Sequence, residues 1–365
     1  MSILRVALDL PLPRVFDYSC DAATPADIGM RVLVPFGNKH AVGVIVGLAD
    51  TSEVESQKLK TAVRVLRETP ALARDWLGLA QFCSSYYHRP LGEVIFNGLP
   101  RRLRQTTAAP PLNQIVAYRL SVSGREALAQ LPARAKVKRA LLQTLLQSDC
   151  GAEALLAQSP SANQALKQLC GVGWIERYHV SAAPGAGRFV ETFPLNTEQQ
   201  QVLRQIEGAA PGYGVFLLHG ITGSGKTEIY LRLIASALAA GRQALVLVPE
   251  INLTPRLTQE FSQRFPDTTL VSLHSGLADG ERTQNWLLAQ SGAAAIVLGT
   301  RLAVFVPLPK LALIVVDEEQ DASFKQQDGL RYSARDVAVF RARQAGIPIV
   351  LGSATPALET YAHAL

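Results

Sequence analysis

The chain has 365 residues, a length that favours two or three domains. Hydrophobic residues make up 48% and charged residues 18%, which is ordinary for a globular protein and excludes global disorder, collagen-like and coiled-coil architectures. The formal charge of +6 divides into +3 for residues 1–105, +5 for residues 106–190 and −2 for residues 191–365. We therefore expect a polyanion such as nucleic acid to be attracted to the first half, although a solvated basic surface has the same composition.

No apolar run approaches the length of about 20 residues that a membrane-spanning helix needs. Charged residues and prolines interrupt the N-terminus, so it lacks the apolar core of a signal peptide. The four cysteines are widely separated and have no Cys-x-x-Cys spacing. These features predict a cytoplasmic protein with no disulfide scaffold and no zinc ligands in this chain.

Residues 1–105 begin with short alternating or apolar runs that are separated by turn residues. This spacing predicts a β-rich barrel or sandwich. From about residue 71 the apolar residues recur about one helical turn apart, which predicts a helix. The segment ends in a basic run at residues 101–104.

Residues 106–180 follow a Thr- and Pro-rich linker at 106–111 and predict helices at about 123–130, 134–147 and 161–170, with a strand after residue 171. Three short helices and a strand pair favour a winged helix, a common nucleic-acid-binding module. The basic residues 136–139 fit a DNA contact, and they equally fit a solvated helix face. Residues 181–194, rich in Ala, Gly and Pro at their start, are interpreted as a second linker.

Residues 195–365 contain continuous apolar strands at 215–218, 244–248, 294–298, 311–316 and 348–351, which alternate with helical patterns. Strands of this kind are typical of a parallel sheet covered by helices on both faces. The fold class is therefore predicted to be multidomain α/β, with a β-rich first domain, a winged helix and a P-loop α/β lobe.

A phosphate-binding loop is predicted between the first of these strands and the next helix, because residues 220–227 fit G-x-x-x-x-G-K-[ST]. Its glycines let backbone N–H groups surround a phosphate, Lys226 reaches the β- and γ-phosphates, and the Thr227 hydroxyl is a Mg²⁺ ligand. The candidate ATP-binding residues in the loop are Gly220, Thr222, Gly223, Ser224, Gly225, Lys226 and Thr227.

An acidic pair follows the apolar strand at 311–316 and is expected to complete the nucleotide site. Asp317 is expected to hold Mg²⁺ through water, and Glu318 to orient and deprotonate the attacking water. With Lys226, these residues predict NTP hydrolysis rather than binding alone.

Further motifs stand at the predicted carboxyl ends of parallel strands, the edge where such sheets bind ligands. They resemble motifs of superfamily 2 helicases, and that resemblance implies DNA-backbone contacts for Thr-Pro-Arg and Gly-Thr-Arg, coupling for Ser-Ala-Thr, and an adenine contact for an upstream Gln. The residues concerned are Thr254, Arg256, Thr300, Arg301, Ser353, Thr355 and Gln199. A transporter subunit or a kinase would lack this series.

The resemblance narrows to the bacterial replication-restart helicases, the PriA family. It rests on residues 317–336, 352–359, 11–18, 34–37 and 86–92. It implies an ATP-dependent 3′→5′ DNA helicase that recognises stalled or abandoned forks through the nascent 3′ end and initiates primosome assembly. The 3′-end residues it implies are Phe16, Asp17, Gly37 and Lys60.

The same resemblance implies an aromatic and basic loop that couples single-stranded DNA to ATP hydrolysis. Because the stretch after Asp321 is polar, its aromatic rings are expected to be exposed for stacking on bases. The residues concerned are Phe324, Lys325, Arg331, Tyr332 and Arg335. The family usually has His where this chain has Gln320, whose amide is still expected to interact with Ser353 or Thr355.

The chain ends just after the Ser-Ala-Thr motif, so the second helicase lobe, the zinc-binding cysteines and the C-terminal domain of the family are expected to lie outside it. We expect a fragment that has little activity alone. ATP and Mg²⁺ are the expected cofactors, with zinc in the full-length family, and no membrane contact is expected. The expected partners are forked and single-stranded DNA, single-stranded-DNA-binding protein and primosome proteins, at the nucleoid. The alternative is a fork-DNA-binding scaffold whose ATP site only regulates affinity.

Overall fold

The computed structural model describes residues 2–55, 57–105, 114–132, 135–147, 149–151, 155–156, 158–181, 188–209 and 212–365. They form two compact units. The first unit comprises Met1–Leu112, Pro184–Leu253 and Phe261–Leu365, and the second comprises Asn113–Ala183 and Thr254–Glu260. The predicted linker at 106–111 and residues 182–187 of the second predicted linker lie outside the described residues.

A five-stranded antiparallel sheet opens the first unit, which confirms the β-rich prediction. The strand order is β2-β1-β4-β3-β5. Its strands pack a hydrophobic core around Leu4, Val6 and Ile45, and β1 and β4 also bury residues on their other face, such as Ala7 and Val44. The strands are β1 (Ser2–Leu8), β2 (Phe16–Cys20), β3 (Arg31–Phe36), β4 (Lys39–Ala49) and β5 (Arg64–Leu66). Helices α1 (Arg74–Tyr86) and α2 (Leu91–Gly98) and a 3₁₀ turn at Arg101–Arg104 follow.

The second unit combines helices with a three-stranded antiparallel sheet of order β7-β6-β8. Buried leucines of two helices, including Leu141 and Leu169, form its core with Ile175. Its elements between residues 114 and 181 are β6 (Gln114–Leu120), α3 (Val122–Gln130), α4 (Lys136–Gln147), β7 (Cys150–Gly151), α5 (Ala162–Gly171) and β8 (Ile175–Ser181). These helices match the predicted ones, and the assignment as a winged helix stays a prediction.

A six-stranded parallel sheet of order β11-β12-β10-β13-β14-β9 forms the α/β part of the first unit, which confirms the predicted lobe. Its strands are β9 (Gly214–His219), β10 (Gln243–Leu247), β11 (Leu270–Leu273), β12 (Ile296–Gly299), β13 (Leu311–Asp317) and β14 (Pro348–Ser353). The helices that accompany these strands along the chain are α6 (Thr197–Glu207), α7 (Lys226–Ala239), α8 (Pro255–Arg264), α9 (Asp279–Gln290), α10 (Ala334–Ala345) and α11 (Leu358–Ala364). Residues 255–260 of α8 are grouped with the second unit. Strand β11 was not predicted, because it is short and contains a polar residue, Ser272.

Helix α1 joins the antiparallel sheet to the α/β part within the first unit. The Trp76 indole donates a hydrogen bond of 2.5 Å to the Phe305 carbonyl, and the Phe82 and Phe340 rings stack with centroids 3.5 Å apart. The Gln290 side-chain amide donates to the Pro70 carbonyl at 3.1 Å. The predicted boundary at residue 105 therefore falls inside one compact unit, and the three-domain division stays a prediction.

No helix in the described ranges is long and apolar enough to cross a membrane.

Candidate nucleotide site and candidate DNA interface

The loop between β9 and α7 has the backbone geometry of a phosphate cradle. Gly223 and Gly225 have φ angles of +81° and +84°, a left-handed conformation that favours glycine. A Cβ at position 225 would lie 2.3 Å from the Gln199 amide nitrogen, so the Gln199 side chain would have to move to admit it. Thr222 and Ser224 are exposed on the loop, and Thr227 is half-buried in the first turn of α7.

Lys226 folds back over this loop. Its ammonium group donates to the Gly220 carbonyl at 2.7 Å and to the Ile221 carbonyl at 3.4 Å. The Gly220 N–H donates to the Ser353 carbonyl at 3.1 Å, which ties the start of the loop to the end of β14. The lysine is therefore held within the cradle by backbone oxygens that a phosphate can replace.

Gln199 caps α6 and contacts the loop. Its side-chain oxygen accepts from the Asn196 N–H at 3.0 Å, and its amide donates to the Ser224 carbonyl at 3.1 Å. Both polar ends of the side chain are thus bonded within the protein. The predicted adenine contact stays a prediction that requires these bonds to exchange.

Asp317 ends β13 beside the loop and is held by a residue that sequence reasoning missed. The Tyr230 hydroxyl, on α7, donates to Asp317 Oδ1 at 3.0 Å. Burial raises the pKa of the Asp317 carboxyl, and the Tyr230 hydrogen bond and the Lys226 charge oppose that shift. Burial also raises the pKa of Tyr230. Tyr230 stands among the apolar residues of α7, so its position in the sequence predicts only a core residue.

Glu318 adopts a left-handed backbone with φ of +48°, which is rare outside glycine and marks a constrained site. The Gln320 amide donates to the Glu318 carboxylate at 2.8 Å. The Ser353 hydroxyl donates to Gln320 Oε1 at 2.5 Å, and the Thr355 N–H donates to the Ser353 hydroxyl at 3.0 Å. Gln320 therefore connects the acidic motif after β13 to the Ser-Ala-Thr motif after β14.

Arg335 was predicted to contact DNA, but its guanidinium is occupied inside the protein. It bonds the Glu319 carboxylate at 3.0 Å and Asp336 at 2.9 Å. The side chain of Glu319 is fully buried, and it also accepts from the Thr360 hydroxyl at 2.9 Å and the Ala357 N–H at 2.7 Å. Sequence reasoning assigned Glu319 no role, whereas the structure makes it the centre of a network between β13, α10 and α11.

The expectation that Phe324 and Tyr332 are exposed for base stacking is wrong in this structure. Both are 2% exposed, and the Tyr332 ring packs edge-on against Phe305 with centroids 5.0 Å apart. The segment is polar in composition, but it folds back on itself through the Gln326 N–H to Tyr332 carbonyl bond of 2.8 Å, which turns the rings inward. Lys325 and Arg331 are exposed, as a phosphate contact requires.

The Gly-Thr-Arg motif follows β12 and is partly structural. Thr300 is buried, and the Arg301 guanidinium donates to the Ser323 carbonyl at 2.8 Å and to the Lys325 carbonyl at 3.3 Å. Arg301 therefore holds the turn that contains Phe324. Thr254 accepts from the Leu257 N–H at 3.3 Å at the start of α8, and Arg256 follows it in that helix. These two residues belong to the second unit.

The cradle and the edge fit a nucleotide with Mg²⁺. Gly223 and Gly225 hold the loop in a left-handed backbone conformation, and the Lys226 ammonium donates to the Gly220 and Ile221 carbonyls of the loop. The Thr227 hydroxyl and the Asp317 carboxylate are oxygen donors of the kind that Mg²⁺ prefers. Within the ranges given above, no group of three or more His, Cys, Asp or Glu side chains is placed to hold a metal ion.

A cavity of about 690 Å³ opens on the antiparallel sheet, and the residues predicted for the DNA 3′ end all line it. They are Phe16, Asp17, Gly37 and Lys60. Gly37 has a φ of +59° in the two-residue turn between β3 and β4, and nothing lies within 4 Å of a Cβ built there. The turn therefore leaves open space at the rim of the cavity.

The cavity wall combines an aromatic corner with polar groups. The Phe16 and Phe36 rings meet edge to face at 5.6 Å, and the Arg14 guanidinium lies 5.0 Å from the Phe16 ring centre. The Ser52 hydroxyl donates to Asp17 Oδ2 at 2.6 Å. Lys60 is exposed, and its carbonyl accepts from the Ser19 N–H at 3.0 Å, which fixes its backbone beside β2.

Two family models match the chain. A model of the 3′ DNA-binding domain matches residues 5–100, and a DEAD/DEAH box helicase model matches residues 196–364. The cavity lies within the first match and the phosphate loop within the second. The fold and the site thus define a DEAD/DEAH box helicase domain joined to a 3′ DNA-binding domain.

The chain is also similar to curated bacterial proteins. The chain is 39% identical over 373 residues to the replication restart protein PriA of Haemophilus influenzae, covering 99% of this chain and 50% of that protein. It is 30% identical over 439 residues to the Bacillus subtilis PriA, with 100% and 54% covered, and 52% identical over 151 residues to the Synechocystis PriA, with 41% and 18% covered. The chain belongs to the PriA family, and it spans about half the length of the first two relatives. The resemblance inferred from its motifs is confirmed.

Proposed function

We propose that this chain contributes the 3′-end-reading and nucleotide-binding parts of an ATP-dependent 3′→5′ DNA helicase of superfamily 2, which recognises stalled or abandoned replication forks and initiates primosome assembly. The observation that carries the proposal is the convergence of Phe16, Asp17, Gly37 and Lys60 on one cavity. The phosphate loop and Asp317 at the carboxyl edge of the parallel sheet support the motor half of the proposal.

In the nucleotide site, Lys226 exchanges its carbonyl partners for the β- and γ-phosphates, and the loop N–H groups bind the same phosphates. The Thr227 hydroxyl and the Asp317 carboxylate would hold Mg²⁺, which would supply charge neutralisation for the phosphates. Glu318 orients the attacking water and accepts its proton. A change at Glu318 during this step alters the hydrogen bonds of Gln320, which contacts both Glu318 and Ser353.

In the 3′-end cavity, the half-buried Phe16 ring offers a stacking surface for the terminal base. Asp17 has acceptor capacity beyond its bond from Ser52, and it accepts a hydrogen bond from the terminal sugar hydroxyl. Lys60 contacts a backbone phosphate, and Gly37 lets the strand approach the turn closely.

The remaining partners follow from family membership alone. We propose forked and single-stranded DNA as ligands, single-stranded-DNA-binding protein and other primosome proteins as partners, and a cytoplasmic location at the nucleoid. Zinc is proposed only for the full-length family. For the 365-residue chain alone we propose little ATP turnover.

Binding to partial duplexes that differ only at the 3′ end tests the proposal. Fluorescence anisotropy would compare a free 3′-OH with a 3′-phosphate, and we expect the free end to bind about 10-fold more tightly, since about 1.4 kcal/mol separates a satisfied from a disrupted polar contact of this kind. Asp17→Asn should reduce the difference, whereas Asp21→Asn, an exposed residue outside the cavity, should not. Equal affinity of the unmodified chain for the two ends would remove the 3′-end claim.

The alternative, a DNA-binding scaffold whose nucleotide site only regulates affinity, is favoured by the concentration of positive charge in residues 1–190. Lys226→Ala placed in the complete protein separates the two. Survival of fork restart with intact DNA binding would favour the scaffold.

A further inference from the structure

The basic run at the end of the predicted first domain forms a rigid turn. Leu103, at the centre of the 3₁₀ turn Arg101–Arg104, is 1% exposed. Its carbonyl accepts a hydrogen bond of 3.1 Å from the guanidinium of Arg31, which is itself buried. Because the centre of the turn is anchored, the arginines on either side are exposed at fixed positions.

A cavity of about 550 Å³ separates this turn from the carboxyl edge of the parallel sheet. Arg101 and Arg104 line it from the turn. On the opposite side it is lined by His274, which follows β11, by Leu302, which follows β12, and by Arg282 of α9. The carboxyl edge is where sheets of this kind bind ligands, and neither the nucleotide site nor the 3′-end cavity uses these residues.

Positive charge in the cavity is only partly compensated. Asp279 is the carboxylate among the lining residues, and its oxygens are 3.8 Å from Arg101 and 3.9 Å from Arg282, the outer limit of an ion pair. Arg282 is fixed by donating to the His274, Ser275 and Leu277 carbonyls at 3.3, 2.7 and 3.2 Å. Arg101 and Arg282 therefore share one loosely held carboxylate, and the charges of Asp9 and Asp279 both act on Arg104, so three guanidinium groups face two carboxylates.

The crowding is evident at Arg104. Partial burial of its guanidinium lowers the pKa of Arg104, Asp9 and Asp279 oppose that shift, and the charges of Arg101 and Arg282 lower the pKa further. Its Nε donates to the Leu99 carbonyl at 2.9 Å, which fixes the side chain while leaving its other N–H groups available. Guanidinium groups that are fixed, crowded and short of counter-charge favour an anion with several oxygens.

The cavity continues towards the 3′-end cavity. A neighbouring cavity of about 370 Å³ shares Arg104 and Gln105 with it and is also lined by Phe36 and His40. Phe36 in turn lines the 3′-end cavity. The three cavities therefore adjoin one another in series, from the 3′-end cavity to the edge of the parallel sheet.

We propose that Arg101, Arg104 and Arg282 bind backbone phosphates of a DNA strand that runs between the 3′-end cavity and the carboxyl edge of the parallel sheet. An elongated set of open cavities with arginines on two sides fits a chain of phosphates better than a single small anion. The site rests on the proposed function, because it takes the DNA whose 3′ end the first cavity holds. The site adds contacts that depend on the course of the DNA strand and not on the chemical group at its 3′ end.

The salt dependence of DNA binding tests the site in the full 365-residue chain. We would measure affinity for a partial duplex with a free 3′-OH by anisotropy at several salt concentrations. Each phosphate contact contributes about 0.7–0.9 to the slope of log affinity against log salt. We expect Arg101→Gln with Arg104→Gln to lower that slope by about 1.4–1.8 and to leave the preference for a free over a blocked 3′ end unchanged.

Matched controls are Arg74→Gln and Arg343→Gln, which neutralise two exposed arginines that line none of the three connected cavities. A double variant with the slope of the unmodified chain, or one that changes no more than the control pair, would overturn the site. If the double variant does not fold, Arg101→Gln alone decides, because its side chain is 74% exposed. If the unmodified chain does not distinguish the two 3′ ends, the proposed function fails, while a changed slope would still support the phosphate site.

Discussion

The two candidate sites of the first unit differ in how their functional groups are engaged. At the nucleotide edge, Lys226, Asp317 and Gln320 each have a hydrogen-bond partner within the protein. In the 3′-end cavity, Gly37 adjoins open space and Lys60 is exposed. The nucleotide edge must therefore exchange internal bonds when it binds a ligand, whereas the 3′-end cavity is open beforehand. Exchange of bonds is what allows binding at one place to change the structure at another.

The internal bonds also differ in what they join. At the nucleotide edge, Gln320 joins two motifs, the acidic motif at the end of β13 and the Ser-Ala-Thr motif at the end of β14. In the 3′-end cavity, the Asp17 bond from Ser52 joins one candidate 3′-end residue to a residue assigned no role in binding. This contrast indicates that the nucleotide edge is arranged to transmit a change and the 3′-end cavity to recognise a chemical end.

Lys226→Ala should have the largest effect, because it should weaken binding at the nucleotide edge and leave binding at the 3′-end cavity unchanged. The variant lacks the ammonium group, which in the unmodified chain exchanges its carbonyl partners for the phosphates. A hydrogen bond to a charged group contributes about 1.5–3 kcal/mol. We expect affinity for Mg·ATP to fall about 10- to 150-fold, and the free-to-blocked 3′-end preference to stay unchanged. Titration with a fluorescent ATP analogue measures the first and anisotropy the second.

The control for this prediction is Lys310→Ala, an exposed lysine in the same lobe. Loss of 3′-end preference in the Lys226 variant would show that the two sites are energetically coupled even in this chain, and the contrast drawn above would not hold.

Glu319→Ala tests whether the network behind the nucleotide edge is structural. The variant leaves Arg335 without its buried partner and frees the Thr360 hydroxyl and the Ala357 N–H. Breaking a buried pair from one side costs about 3–5 kcal/mol, so we expect a clear fall in the thermal unfolding midpoint. Glu359→Ala, at an exposed position of α11, should leave the midpoint nearly unchanged. A small effect at Glu319 would return Arg335 to the set of candidate DNA contacts.

Tyr230→Phe is a smaller change at the same edge, because it removes a single hydroxyl. Asp317 loses its donor at 3.0 Å while the ring and the packing remain. A lost hydrogen bond of this kind costs about 1–2 kcal/mol, and we expect the Mg²⁺ concentration needed for half-maximal ATP-analogue binding to rise about 5- to 30-fold. Unchanged Mg²⁺ dependence would mean that Asp317 is positioned by its strand alone. Binding measured without Mg²⁺ serves as the internal control.

The elements of the nucleotide edge could be located in the sequence because they are local. The phosphate loop spans eight consecutive residues between a strand and a helix, and Asp317, Thr300 and Ser353 lie at or next to the ends of apolar strands. What escaped prediction depends on contacts between distant segments. Tyr230 reads as one more core residue of α7, and the pairing of Glu319 with Arg335 depends on how α10 returns to β13.

The burial of Phe324 and Tyr332 is a second result that depends on contacts between distant segments. Their neighbours are polar, and polar composition indicated exposed rings, but Phe305 from another segment covers Tyr332. The 3′-end residues were found only through the family resemblance. Composition could not bring positions 16, 37 and 60 together, because strand pairing places the first two and the bond from the Ser19 N–H to the Lys60 carbonyl places the third.

Acidification should give the smallest effect, a change in the stability of the antiparallel sheet that carries the 3′-end cavity. Bonds from Arg67 and from the Thr24 backbone lower the pKa of the buried Asp27 carboxyl, although burial opposes them. A carboxyl whose pKa is lowered on folding stabilises the fold fully above its ordinary pKa near 3.8 and loses that contribution as the pH falls through the lowered value. We expect Asp27→Asn to lower the urea midpoint of unfolding at pH 7 and the difference from the unmodified chain to shrink below about pH 4.

The control is Glu53→Gln, which changes an exposed carboxyl in the same region of the chain. A difference that does not change with pH would mean that Asp27 acts through its hydrogen-bond geometry rather than its charge, and that the cavity frame, unlike the nucleotide edge, does not depend on an ionised group.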